Sequence, residues 1–202
     1  ILESYKVNCL VFNNVGSHGP RAEGLFDLRA KRLSKFAQKN HLPLIKINSN
    51  LAQILGATGP EFMLNHTLRN ASAVLNLQKL FGKFIYASGF RYQDCYVGKA
   101  DALGYADPYS VHLLSTNTTE FISSGCQYSR TEKTLKVSLI ESSHKHLDVC
   151  VTPLTTGKNC SRCPKCARTL LTLKILNKAD LYASVFDLST YQRWEGFYEA
   201  CV

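Results

Sequence analysis

Two hydrophobic periods take turns along the first half of this chain. Short, dense apolar runs at Val7–Asn13, Leu42–Asn48 and Lys83–Ser88 are too brief for helices and end in Asn, Ser or Gly, so they read as buried strands. Between them, apolar residues recur at helical spacing. Leu25, Leu28, Leu33, Phe36 and Ala37 mark one helix over Glu23–Asn40. Phe62, Leu64, Leu68, Ala71, Leu75 and Leu77 mark another over Glu61–Leu80. Gly16–Pro20 and Gly56–Pro60 punctuate these segments as turns or loops. The order strand, helix, strand, helix, strand predicts an α/β fold: a parallel sheet with helices packed on it.

Beyond Gly89 the pattern loosens. Phe90–Tyr109 is rich in Tyr, Gly and Asp and reads as loop with short helical pieces. A fourth strand is expected at Thr119–Ser123. Ser129 followed by Glu132 matches a capping box that starts a helix running to about Ile140. Leu147–Val151 is expected to be a fifth strand. An amphipathic helix follows over Cys163–Asn177, carried by Leu170, Leu171, Leu173, Ile175 and Leu176. The tail, Ser189–Val202, is expected to be helical, with Tyr191, Trp194, Phe197 and Tyr198 as its apolar face. No internal repeat, low-complexity tract or linker interrupts the chain. The expected organisation is an α/β domain over residues 1–150 and a cysteine-rich helical region over 151–202 packed on it as one compact unit.

Composition supports a single full core, with 202 residues of which 45% are hydrophobic. No apolar run approaches the ~20 residues that a membrane span needs. The net charge of +9 and pI near 9.2 favour a polyanionic partner. Much of that charge, such as Arg29, Lys31, Arg32, Lys35 and Lys39, fits a solvated helix face.

Cysteine spacing adds chemistry. Cys150, Cys160, Cys163 and Cys166 form a C-x9-C-x2-C-x2-C array. Short gaps let one turn present several thiolates, and Cys150 can return as the fourth corner of a tetrahedral zinc site. An iron–sulfur cluster and disulfides or free thiols are the alternatives. Cys9 sits in an apolar run and reads as a small buried hydrophobe, while Cys95, Cys126 and Cys201 stand alone. The chain start shows no signal-peptide pattern. Zinc-bound thiolates imply a reducing compartment, hence the cytoplasm. Of the six histidines only the pair His144 and His146 has ligand-like spacing, and the cysteines already fill a four-coordinate site.

Around these residues the string Asn159-Cys160-Ser161-Arg162-Cys163-Pro164-Lys165-Cys166-Ala167-Arg168-Thr169, followed by Val185-Phe186-Asp187, resembles the adenine-nucleotide α-hydrolase-like proteins of the N-type ATP pyrophosphatase group. Within that group the order of the cysteines is most similar to the 7-cyano-7-deazaguanine synthase family. The resemblance covers Val7 to Leu188 and is specific at the cysteines. It implies a three-layer, Rossmann-like (HUP-like) sheet binding ATP and Mg2+ at the carboxyl ends of its strands. It also implies a structural zinc ion held by Cys150, Cys160, Cys163 and Cys166. Phe12 and Asn13 would lie at the nucleotide, although Phe12 also suits the core and Asn13 a turn. Arg130 and Lys133, at a helix start, and Arg168, just past the knuckle, would meet phosphate; solvent-facing basic residues are the plainer alternative.

One departure is large. The group's Ser-Gly-Gly-x-Asp-Ser phosphate loop is absent from this sequence. The chain opens on Ile1 rather than Met, and the expectation is that the loop lies upstream; its loss is the alternative. Three functions remain open. The first is an enzyme that adenylates a carboxylate or amide-type oxygen of a small-molecule or RNA-linked substrate before nitrogen transfer. The second is a non-catalytic nucleotide- or partner-binding zinc module, and the third a basic RNA-binding zinc-knuckle protein. A homo-oligomer is compatible with all three.

Overall fold

Strand β1 (Leu10–Asn14) leads into helix α1 (Ala22–Lys39), which returns the chain to β2 (Leu44–Asn48). These residues belong to a computed structural model that describes positions 6–18, 22–56, 61–150 and 158–199. The strands pair in parallel, with Leu10 opposite Leu44 and Asn14 opposite Asn48. Helix α1 ends in a Schellman motif. The N–H of Leu42 donates to the Ala37 carbonyl at 2.9 Å and that of His41 to Gln38 at 3.1 Å. His41 takes the left-handed conformation (φ 52°) usually given to Gly there.

The short α2 (Leu51–Gly56) and the longer α3 (Phe62–Leu75) follow, then β3 (Lys83–Ala87), α4 (Asp107–Leu113) and β4 (Glu120–Ser124). Strands β3 and β4 are also parallel, Lys83 facing Glu120 and Ala87 facing Ser124. Parallel pairing therefore agrees with the order of elements. The strands nevertheless form two two-stranded sheets, β1–β2 and β3–β4, rather than one. Side chains join them instead of a hydrogen-bond ladder. Ala71 and Val74 of α3 pack with Phe81, Val111 and Phe121, and Val11, Ile45, Phe84 and Tyr86 close around them. Cys9 packs against this core, as its apolar neighbours suggest.

Two helices depart from the expected outline. Helix α3 stops at Leu75, and a separate 3-10 turn covers Gln78–Leu80. Helix α4 is one of the short helical pieces expected after Phe90, and it runs beyond Tyr109 to Leu113; Pro108 lies in its first turn, where Pro loses no hydrogen bond.

The chain divides into two compact units, Ile1–Ser129 and Arg130–Val202. The second comprises α5 (Arg130–Ser138), α6 (Ser143–His146), α7 (Pro164–Ile175) and α8 (Leu188–Glu199). Helices α5 and α8 pack on α7. The centre holds Leu170, Leu173, Tyr182, Val185, Phe186 and Tyr191 together with Cys150, Cys160 and Cys166. Helix α7 ends in a second Schellman motif, Lys178 N–H to Leu173 and Asn177 N–H to Lys174, with Asn177 at φ 54°. Two expectations for this unit are corrected. Residues 147–150 form no strand; they meet a side chain, described below, instead of a ladder partner. On α8, Tyr191 is buried, whereas Trp194 and Phe197 are 49% and 63% exposed. Among the described residues no helix is long and apolar enough to cross a membrane.

Candidate metal centre

The sulfur atoms of Cys150, Cys160, Cys163 and Cys166 all lie within 4.8 Å of one another. Local backbone structure brings them there. Ser161 adopts a left-handed conformation (φ 61°), which folds Cys160–Cys163 into a tight turn. The N–H of Cys163 then points at the Cys160 sulfur at 3.3 Å. Cys163 caps α7, Pro164 opens it, and Cys166 lies in its first turn. Cys150 comes back across the turn, and its sulfur accepts from the Cys160 N–H at 3.4 Å.

Asn159 holds Cys150 in place. Its side chain is 2% exposed and uses every hydrogen-bonding position it has. Oδ1 accepts from the N–H groups of Val149 (2.9 Å) and Cys150 (3.1 Å). Nδ2 donates to the carbonyls of Leu147 and Val185, each at 3.0 Å. Only this amide orientation matches donors to acceptors. Ser161 extends the frame: its hydroxyl accepts the Asp187 N–H at 2.8 Å. Asp187 in turn caps α8, accepting the Thr190 N–H at 3.1 Å and the Ser189 and Thr190 hydroxyls at 2.7 Å. Those bonds hold its carboxyl well below the usual carboxylate range.

The spacing can be compared with a single ion. Zn–S bonds of about 2.3 Å in a tetrahedron place sulfurs about 3.8 Å apart. The observed separations are 3.4 Å (Cys163–Cys166), 3.9 Å (Cys150–Cys163) and 4.0 Å (Cys160–Cys166). They are far longer than the ~2.05 Å of a disulfide, and all four cysteines are free thiols. A polynuclear cluster, which puts several atoms between its thiolates, would need them further apart. The four residues can therefore hold one metal ion such as zinc. As thiols, Cys160 and Cys166 differ. Burial opposes ionisation of Cys160, but the N–H groups of Arg162 and Cys163 and the neighbouring thiols bring it down to about 7. Burial, the hydrogen bond to Cys163 and the adjacent sulfur charges push Cys166 up. A bound cation reverses that penalty by supplying the opposing charge.

The surroundings are cationic. Lys165 lies close enough to the sulfurs of Cys163 and Cys150 to feel their charge. Burial, then the charges of Arg130 and Arg168, lower Lys165; burial and Arg130 lower Arg168. Packing of α5 on α7 thus brings Arg130, the first residue of α5, near Lys165 in the first turn of α7 and Arg168 one turn further on, with Lys165 nearest the cysteines. Lys133 lies one turn along α5 and is half-buried. Arg130 and Arg168 were legible as candidates from position; Lys165, inside the Cys-x2-Cys gap, was not singled out. His144 is no ligand: its Nε2 lies 3.1 Å from the Ser138 carbonyl and its ring packs against Tyr182.

Phe12 and Asn13 lie in the other unit. The ring of Phe12 stacks on Phe26 at 5.0 Å and meets His18 edge-on. Asn13 donates to Asn70 Oδ1 at 3.1 Å, while its own Oδ1 is enclosed and has no partner among the described residues. Next to Asn70 along α3, His66 and Thr67 join a polar network with β3 and α4 that periodicity alone hid. Thr67 donates to Asp107 Oδ1 at 2.6 Å, and His66 Nδ1 lies 3.0 Å from Thr67 and 3.3 Å from the Tyr86 hydroxyl. Asp107 is 1% exposed, its Oδ2 lacks a partner among the described residues, and burial raises its carboxyl above the usual range.

Fold and site together define an α/β protein with parallel strands in two small sheets and a four-cysteine group suited to a metal. No protein family, no curated protein and no solved structure matches this chain.

Proposed function

We propose that this protein is a zinc-stabilised nucleotide-binding protein, in which the metal centre orders a cationic surface that receives phosphate. The observation that carries this reading is the grouping of Arg130 at the start of α5 with Lys165 and Arg168 in the first turns of α7, Lys165 lying next to the cysteines. Helix starts favour anions through unpaired N–H groups, and basic side chains there add charge-assisted bonds. Lys133 is a fourth candidate, one turn further along α5. Zinc is the metal that suits four closely spaced thiolates, and its role here is structural because all four positions are protein sulfurs. Four thiolates around a divalent ion carry a net charge of about −2, which the adjacent cations offset.

The sequence resemblance specifies the ligand as MgATP and the chemistry as adenylation of a carboxylate or amide-type oxygen before nitrogen transfer. It also implies a three-layer sheet, a ligase-type activity and a cytoplasmic setting. A second reading, RNA binding through the same basic surface, is favoured by the net charge of +9.

The test is direct binding by the zinc-loaded full chain. MgATP and a short single-stranded RNA are titrated against the wild type and Lys165→Gln/Arg168→Gln at several salt concentrations. The nucleotide reading expects MgATP binding in the wild type, at least tenfold weaker in the double variant. RNA binding with a steep salt dependence and no MgATP binding would transfer the surface to the second reading. Equal binding by both proteins would remove these residues from either.

A further inference from the structure

Arg69 is 7% exposed and carries a guanidinium cation. A buried charge is destabilising unless an opposite charge answers it. Among the described residues, no carboxylate lies within ion-pair distance of Arg69. Its partners are all neutral. Nε donates to Asn65 Oδ1 at 2.7 Å and Nη1 to the Val15 carbonyl at 3.3 Å. The Phe62 ring centre lies 5.3 Å from its central carbon. Of five N–H donors, two are engaged, and the Nη2 edge has no acceptor among the described residues.

The backbone is shaped around this side chain. Val15 and Gly16 follow β1 directly, at the carboxyl end of a parallel strand, where open α/β sheets take their ligands. Gly16 has φ 103°, and a Cβ there would lie 2.9 Å from Arg69 Nη1 and 3.2 Å from Ala52 Cβ. Glycine is thus required for its conformation, and the guanidinium packs where a side chain would stand.

We propose that Arg69, with Asn65 and the Val15–Gly16 turn, is a binding site for the carboxylate of a small organic acid. The Nη2 edge, which meets no acceptor among the described residues, matches the paired oxygens of a carboxylate. Charge selects the ligand class: one guanidinium neutralises a monoanion, whereas a phosphate dianion would leave negative charge buried. The Phe62 ring, over which the guanidinium lies, supplies apolar surface beside the site for the acid's carbon skeleton. The site uses no residue of the proposed phosphate surface, so either can fail alone.

The experiment follows thermal unfolding of the zinc-loaded full chain in rising sodium benzoate and sodium acetate, against sodium chloride and sodium phosphate at matched ionic strength. Carboxylates should raise the wild-type midpoint in a saturable way, since a ligand that binds only the folded state stabilises it. Arg69→Met should lose that response while Lys165→Gln/Arg168→Gln keeps it. The same response in Arg69→Met, or none in the wild type, overturns the site. Phosphate stabilising more than either carboxylate through Arg69 overturns the ligand class. Should Arg69→Met not fold, guanidinium resonances of 15N-arginine-labelled wild type decide: a saturable shift of the Arg69 signal with benzoate is expected, and an unmoved signal refutes it.

Discussion

Replacing Asn159 by Ala isolates how the metal centre is braced. The substitution touches no cysteine, yet it removes four side-chain hydrogen bonds at once. The Val185 carbonyl keeps one donor, the main-chain N–H of residue 159 at 3.2 Å. Three groups lose their partner: the N–H groups of Val149 and Cys150 and the carbonyl of Leu147. At about 1 kcal/mol for each lost bond, and more where water cannot enter, the loss is about 3 kcal/mol. That is a large fraction of the stability of a small unit. Trp194, the single tryptophan, lies in the same unit and reports its unfolding. Urea denaturation of zinc-loaded protein, followed by Trp194 fluorescence, gives the difference in unfolding free energy. Asn159→Asp should cost at least as much as Asn159→Ala, because its carboxylate still accepts from both N–H groups but sets a buried negative charge against the two carbonyls and the neighbouring thiolates. A change below about 0.5 kcal/mol in Asn159→Ala would refute the bracing role, since bonds of this kind are worth more than that when buried.

Protein purified without added metal should contain one zinc ion per chain, and a strong chelator should shift the Trp194 transition to lower urea; a metal-free chain of equal stability would remove the site. Leu173→Ala, at a position 0% exposed in the core of the cysteine-bearing unit, should cost about 2–5 kcal/mol by the same assay. Asp107 gives a pH dependence. Burial raises its carboxyl, so the folded state holds the proton more tightly than the unfolded chain. Its contribution is greatest in acid and is lost as pH rises from about 4 through the raised value. Asp107→Asn should therefore gain stability relative to wild type as pH rises across that window; a difference independent of pH would contradict the assignment.

The cysteine centre was legible because thiolate chemistry is written in sequence spacing, and three of the four residues share one turn. Strands β1 to β4 were legible for a similar reason: each is a short apolar run closed by turn formers. How the strands group was not, since Val11, Ile45, Phe84 and Phe121 look alike whether they meet within one sheet or across a shared core. The alternation of Leu147, Val149 and Val151 reads as strand, but periodicity reports which side chains are buried, not what satisfies the backbone. Over 147–150 the Asn159 side chain takes that role. The neighbours of Arg69 were equally hidden: Asn65 is one helical turn away, but Val15 is distant in sequence and reaches it only through folding.

The order of the cysteines also sets an order in time. Cys160, Cys163 and Cys166 are neighbours along the chain, so an unfolded chain can bring three thiolates to an ion with little loss of loop entropy, before Cys150 closes the last and longest loop. Two of those three residues bracket the first turn of α7. Starting a helix is its unfavourable step, with a nucleation constant on the order of 10⁻³. An ion captured by Cys163 and Cys166 would fix that turn in advance. Metal arrival would then act as the starting gun for the helix on which the rest of its unit packs, and apo chains would be slow to fold as well as less stable.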